Sequence, residues 1–320
     1  MKIVYWLNIP LGRDELIAMM RKIETVDLEI VKSPEELASA LPKADGLIAA
    51  NPSPEEAALI ASVLKSDNSL KWLHLVSSGN DGLVHCGLPA HVRTTNTPGA
   101  TANAVGDHAV ALLFALMRGL PRAWEQQRVH RWAKSDLSRR ATSLEGKTVV
   151  LLGHGAIGQY LAKVLSGFGV DIRFVSRSLA ETAAPVKAFQ LPQIQEALQG
   201  ADVLICAISL SDLTAGIVSE EALRQMNTGS FLINVGRGQL VDRQGLLRCL
   251  QDGHLQGAGL DVTDPEPLSE DDELWSAPNL IITPHYAGAG SRQAGARVAR
   301  AAEDVILSEM RRQGTGDHDA

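Results

Sequence analysis

The stretch Val149-Val150-Leu151-Leu152-Gly153-His154-Gly155-Ala156-Ile157-Gly158 decides how the rest of the chain is read. Its four leading apolar residues read as a buried strand. Beyond the last glycine, Leu161, Ala162 and Leu165 repeat at three and four, the spacing of one helix face. A G-x-G-x-x-G turn between strand and helix has a defined physical use. Gly153 permits the tight turn, Gly155 lets the backbone approach a pyrophosphate, and Gly158 lets the helix lie close on the strand. Ala156 and Ile157 complete the turn and open the helix, whose unpaired N–H groups and dipole favour an anion. In this context the motif predicts a dinucleotide site.

The choice of dinucleotide is read at the end of the following strand, Phe174-Val175-Ser176-Arg177-Ser178. About 20 residues beyond the glycines, chains that bind NAD usually carry Asp or Glu for the ribose 2′-OH. No acid stands here. A carboxylate would repel a 2′-phosphate, whereas the Arg177 guanidinium and the Ser176 and Ser178 hydroxyls can hydrogen-bond one. The expectation is NADP(H) as the preferred cofactor, with NAD(H) possible.

Working outward, apolar strand candidates alternate with helical patterns on both sides of the motif. Before it lie strand candidates at Lys2–Leu7, Leu28–Lys32, Ala44–Ala50, Trp72–Ser77 and Val92–Asn96. Between the first four of these come helix candidates at Arg13–Ile23, Pro34–Leu41 and Pro54–Leu64. A long apolar helix is expected over Ala100–Arg118. The charged stretch Pro121–Gly146, with Trp124 and Trp132, reads as an arm outside either core. After the motif, strands are expected at Asp171–Val175, Val203–Ala207, Ser230–Val235, Gly257–Val262 and Leu280–Thr283, and a last helix at Arg292–Arg312. Alternation of this kind predicts two α/β units with parallel sheets.

The 320 residues carry a net charge of −7, so nucleic acid is not an expected partner. The opening MKIVYWLNIP reads as a strand rather than a signal peptide, and no apolar run is long enough to span a membrane. A cytoplasmic location is the expectation. Cys86, Cys206 and Cys249 form no CxxC or Cys/His cluster, so no metal site is expected and the thiols read as small buried hydrophobes.

Three polar residues follow apolar strands, where α/β sheets bind ligands. Arg237 follows Phe231-Leu232-Ile233-Asn234-Val235-Gly236, Glu266 lies in Asp261-Val262-Thr263-Asp264-Pro265-Glu266-Pro267, and His285 follows Leu280-Ile281-Ile282-Thr283-Pro284. Alone, each has an ordinary alternative: a salt-bridged Arg, a loop Glu, a satisfied His. Behind a dinucleotide motif they form a set suited to carbonyl reduction. Arg binds a carboxylate and polarises a carbonyl. His titrates near neutrality and can give a proton to a forming alkoxide. A carboxylate beside the His raises its pKa and fixes the ring.

On these residues the chain resembles the D-isomer-specific 2-hydroxyacid dehydrogenases, the glyoxylate/hydroxypyruvate reductase branch in particular. Further matching stretches are Ser77-Ser78-Gly79-Asn80-Asp81, Asn96-Thr97-Pro98-Gly99, Asn103–His108 and Thr283-Pro284-His285. The resemblance implies that Arg237, Glu266 and His285 are catalytic, with Arg237 and His285 also touching substrate. It implies that the N–H groups of Ser78 and Gly79 hold the substrate carboxylate. It places Val235 beside the nicotinamide ring, Asp261 near its carboxamide and Ser209 on the adenosine side. Two departures stand out: Ile208-Ser209-Leu210-Ser211 replaces a Leu-Pro-Leu-Thr common in relatives, and Tyr286 stands where a small aliphatic is common.

The resemblance also implies the fold: two doubly wound parallel-sheet domains, with a Rossmann cofactor domain (98–288) inserted into a flavodoxin-like substrate domain (1–97 plus 289–320). It implies a homodimer through about Thr101–Gly146. The function expected is NADPH-preferring reduction of short 2-keto acids to D-2-hydroxy acids, with His285 as proton donor. A dinucleotide-sensing binding protein, like the corepressors that share the fold, is the alternative.

Overall fold

The computed structural model describes residues 1–6, 12–66, 69–79, 81–84, 87–177 and 187–315. The chain divides into two compact units, one of Met1–Thr101 with Ala289–Ala320 and one of Ala102–Gly288. Asn8, Pro10, Asn80, Cys86, Ser178 and the last five residues, all read in the sequence, lie outside the described residues.

The first unit is built on five parallel strands, β1 (Lys2–Trp6), β2 (Asp27–Val31), β3 (Gly46–Ala49), β4 (Trp72–Leu75) and β5 (Arg93–Asn96). Their order is β2-β1-β3-β4-β5, the flavodoxin-like arrangement. Side chains alternate along each strand, so one sheet feeds two cores. Val4, Trp6, Leu47, Leu73 and Leu75 join Leu37, Ile60 and Leu64 on one face. Ile3, Tyr5, Ile48 and Trp72 join Leu16, Met20, Val298, Ala302 and Ile306 on the other. The last three come from the helix Arg292–Thr315, which is how the end of the chain returns to its beginning. An Arg93–Glu309 ion pair ties that helix to β5.

The unit extends to Thr101 rather than stopping at residue 97. Ala100 is buried in the same core as Val298, and Arg297 donates to the Ala100 carbonyl from Nε at 2.9 Å and from a terminal nitrogen at 2.6 Å.

The second unit holds seven parallel strands, β6 (Thr148–Leu152), β7 (Asp171–Ser176), β8 (Lys187–Gln190), β9 (Val203–Cys206), β10 (Ser230–Asn234), β11 (Leu255–Leu260) and β12 (Leu280–Ile282). The order β12-β11-β10-β9-β6-β7-β8 is the Rossmann order with one strand added beyond the sixth. Here too alternation splits the strands between two cores. Val150, Leu152, Leu204, Cys206 and Leu232 face one, while Val149, Leu151, Val203, Ile205, Phe231 and Ile233 face the other. The helix Ala102–Met117 covers the second face with Val105, Ala109, Leu112, Leu113 and Leu116. Cys206 and Cys249 are free and packed in the first core, where burial pushes both thiols up.

Two elements differ from the sequence reading. β8 is not foreseen: Lys-Ala-Phe-Gln is a short edge strand with exposed ends, so it carries no apolar run. The segment read as an arm contains two helices, Leu120–Arg128 and Lys134–Arg140, neither with a buried residue. Trp124 is 70% exposed and Trp132 93%.

In the first unit Gly46 is opposite Trp72 across the β3–β4 pair, and a Cβ there would lie 2.1 Å from the buried indole. Gly46→Ala is expected to destabilise the protein by about 1–3 kcal/mol through overpacking. Chemical denaturation checks this; an unmoved unfolding transition contradicts it.

Candidate functional site

The glycine turn sits at the C-terminal end of β6, which is flanked by β7 and β9. That is the switch point where a doubly wound sheet leaves its ligand crevice. Each glycine has a visible reason. Gly153 has φ 117°, and a Cβ on it would lie 2.5 Å from the Ala207 carbonyl just past β9. A Cβ on Gly158 would lie 2.0 Å from the Gly153 carbonyl. Gly155 is different: a Cβ there would meet nothing within 4 Å. Its bareness serves no packing need of the chain and leaves a cradle that a side chain would fill.

The first bond of the helix Ala156–Leu165 runs from Gln159 N–H to the Gly155 carbonyl at 2.9 Å. The N–H groups of Ala156, Ile157 and Gly158 therefore precede the helical ladder, the arrangement that binds an anion. The residues present fit the pyrophosphate of a dinucleotide. Ser176, buried, ends β7, the strand beside the turn, and Arg177, exposed, follows it directly. Ser209 lies exposed beyond β9, and Val235 is buried at the end of β10 with its N–H on the Cys206 carbonyl at 3.1 Å.

Arg237, Glu266 and His285 lie in three loops, after β10, β11 and β12, whose strands are neighbours in the sheet. One buried polar residue shapes the first loop. Asn234, 1% exposed, accepts the Gly236 N–H at 3.0 Å and donates to the Arg237 carbonyl at 2.8 Å. The Arg237 guanidinium donates to the Gly236 carbonyl at 2.7 Å. Gly238 then packs directly on the next loop: a Cβ on it would lie 2.1 Å from the Thr263 carbonyl. That contact sets Arg237 beside the turn carrying Glu266. Within this turn the Thr263 N–H donates to Glu266 Oε1 at 3.0 Å.

Glu266 Oε2 accepts from His285 Nδ1 at 2.8 Å. The imidazole is about half exposed, at 49%. The hydrogen bond to Glu266 raises the His285 pKa above its ordinary value; burial and Arg237 oppose this, while the charges of Glu266 and Asp261 add to it. For Glu266, burial would raise the pKa. The hydrogen bond and charge of His285, the Thr263 N–H and Arg237 outweigh burial and hold the carboxyl below its ordinary range.

Asp261 is 2% exposed and is used internally. Its carboxylate accepts from Thr283 Oγ1 at 2.6 Å, Tyr286 N–H at 3.2 Å and Ala287 N–H at 3.0 Å. The structure thus gives Asp261 a role as the anchor of the His285 loop, beyond the carboxamide contact the resemblance implied. Asn234, Thr263 and Thr283 hold these loops in place, a part the sequence reading did not single out. The available signal was polarity ending an apolar strand, as in Phe-Leu-Ile-Asn and Leu-Ile-Ile-Thr.

In the first unit, Ser78 and Gly79 follow β4. The Ser78 hydroxyl donates to the Thr97 carbonyl at 3.1 Å, and Asn96 Nδ2 donates to the Ser78 carbonyl at 2.8 Å. The Ser77 hydroxyl accepts the Asn51 N–H at 3.0 Å and donates to the Gly79 carbonyl at 3.1 Å. The loop is held by side chains rather than by a regular element.

Residues 110–287 match the family model described as D-isomer specific 2-hydroxyacid dehydrogenase, NAD binding domain. A glyoxylate/hydroxypyruvate reductase of Arabidopsis thaliana is 35% identical over 238 residues, 72% of each chain. A D-3-phosphoglycerate dehydrogenase of Mycobacterium bovis is 30% identical over 289 residues. That match takes in 89% of this chain but only 53% of the relative, so this chain spans about half the length of that protein. Among solved structures, an NADPH-dependent glyoxylate/hydroxypyruvate reductase of Sinorhizobium meliloti superposes with a TM-score of 0.73 at 28% identity. The superposition takes in 93% of this chain and 91% of that one.

Gly238→Ala is expected to push the Arg237 and Glu266 loops apart and weaken the Glu266–His285 bond. The His285 titration, followed by NMR, should then fall from its raised value toward that of an ordinary histidine. A folded variant with an unchanged titration contradicts this geometry.

Proposed function

Since the chain belongs to the D-isomer specific 2-hydroxyacid dehydrogenase family, we propose that it reduces short 2-keto acids of the glyoxylate and hydroxypyruvate class to D-2-hydroxy acids, with NADPH preferred. The observation that carries this reading is the Glu266–His285 bond beside Arg237, at the strand ends of a dinucleotide-binding sheet.

When bound, the dihydronicotinamide supplies the hydride. The chain's own residues do the rest. Arg237 presents permanently charged donors to the substrate carboxylate and the reacting carbonyl, drawing electron density toward oxygen. Glu266 accepts only, so Nδ1 of His285 carries a hydrogen and Nε2 is the nitrogen that delivers the proton. The raised pKa favours the protonated ring, the state reduction needs. The N–H groups of Ser78 and Gly79 are assigned to the substrate carboxylate. On the cofactor, the pyrophosphate is assigned to Gly153–Gly158, and Ser176 and Arg177 to the 2′-phosphate. A carboxylate at that strand end would disfavour NADP, and none is present. Ser178, the third residue of that reading, lies outside the described residues.

The same reading makes the protein a cytoplasmic homodimer that takes neither nucleic acid nor membrane as partner. Exposed Trp124, Val129 and Trp132 support the dimer.

NADPH oxidation with a panel of 2-keto acids tests the proposal. Glyoxylate and hydroxypyruvate should be turned over, with kcat/KM for NADPH above that for NADH. His285→Gln should lower kcat by about 10²–10⁴-fold, the usual range for a general acid–base group. Absence of turnover with every 2-keto acid, or wild-type turnover in the variant, overturns the assignment. A higher kcat/KM for NADH overturns the cofactor preference alone.

A further inference from the structure

Behind the catalytic loop lies a hydrogen-bonded cage whose outermost member, His108, has no part in the chemistry described so far. His285 itself has φ 50°, a left-handed conformation that a residue with a side chain adopts only where its surroundings impose it. Its N–H lies 2.8 Å from the Asp261 carbonyl and 3.0 Å from that of Thr283. The two following N–H groups, of Tyr286 and Ala287, go to Oδ1 and Oδ2 of Asp261. The Thr283 hydroxyl also goes to Oδ1. His108 Nε2 closes the set, 3.0 Å from Thr283 Oγ1 and 3.4 Å from Asp261 Oδ1.

The proton inventory of this node has one solution. A carboxylate accepts only, so the Thr283 hydroxyl hydrogen is committed to Asp261. Thr283 Oγ1 then has only lone pairs to offer His108, and Nε2 of His108 must carry a hydrogen. His108 is a donor to the node, and its hydrogen keeps the Thr283 hydroxyl turned toward Asp261.

The seat of His108 is fixed from other sides as well. Two residues earlier, Gly106 lies so close under Tyr160 that a Cβ would fall 2.3 Å from the ring. Tyr160 in turn donates its hydroxyl to Asp107. The Tyr286 ring meets the His108 ring edge-on with centroids 4.9 Å apart. His108 therefore links the helix Ala102–Met117 to side chains on both sides of His285, those of Thr283 and Tyr286.

We propose that His108 is a positioning residue for catalysis: its Nε2–H locks Thr283 onto Asp261, and Asp261 holds the left-handed turn that aims His285 at Glu266. The inference rests on the reading of His285 as proton donor. Its test separates the two. A structural histidine would be needed for folding but not for the state of the His285 ring, whereas a positioning histidine governs that ring and is replaced by any side chain that donates from the same place.

The experiment compares wild type, His108→Gln, His108→Leu and Thr283→Val. It reads the His285 titration by ¹H–¹⁵N NMR on the full chain, and kcat and KM with glyoxylate and NADPH. Gln carries an N–H₂ near the place of Nε2 and should keep both the raised titration and turnover. Leu and Val remove the node from either end. In these variants the titration should fall toward that of an ordinary histidine, and kcat by about tenfold to a hundredfold with KM for NADPH unchanged. Thr283→Val carries the same test if His108→Leu does not fold. The proposal is overturned if Leu and Val leave the titration and kcat at wild type, or if Gln loses as much as Leu. Wild-type protein that turns over no 2-keto acid, yet shows the His285 titration falling in the Leu and Val variants, rejects the proton-donor reading and supports the positioning.

Discussion

The site depends on one close approach, that of Gly238 to the Thr263 carbonyl. It presses the loop after β10 onto the loop after β11, nearer than any residue with a Cβ allows. Arg237 stands directly before this contact, and Glu266 hangs from the Thr263 N–H directly after it. The parallel sheet supplies neighbouring strands that end on the same side. The glycine converts neighbouring ends into touching loops, and Glu266 can then reach His285 from the third.

The charges in this small volume are balanced rather than merely gathered. Arg237 lowers the pKa of both Glu266 and His285, while Glu266 and Asp261 raise that of His285. With Glu266 in hydrogen-bond contact and Asp261 acting only at longer range, the carboxylates win at the imidazole. That outcome suits the proton-donor role proposed for the ring. Meanwhile Asp261 spends its carboxylate on backbone N–H groups and the Thr283 hydroxyl, so it acts on His285 through geometry as much as through charge.

Much of this was legible in the sequence because it follows local rules. The glycine spacing, the apolar strand before it and the helical period after it declare the dinucleotide turn without reference to anything distant. Arg237, Glu266 and His285 were legible as polar residues after apolar strands, the positions that parallel sheets turn toward a ligand. Other features needed the fold. Lys187–Gln190 is a strand only because β7 lies beside it. Ala100 belongs to the first unit because Arg297, nearly two hundred residues away, binds its carbonyl. The left-handed turn at His285 and the node joining His108 to Asp261 and Thr283 exist only once three segments meet, and no spacing along the chain announces them.

The most direct measurement of the central claim is the pH profile of kcat/KM for glyoxylate reduction with NADPH, in wild type and in Glu266→Gln. With His285 as the proposed proton donor, reduction requires the protonated imidazole, so activity should be full below the raised His285 pKa and lost as pH rises through it. Replacing Glu266 removes the largest influence raising that pKa, and the alkaline limb should move to lower pH. An alkaline limb that stays in place without Glu266 would contradict His285 as the proton donor steered by that carboxylate.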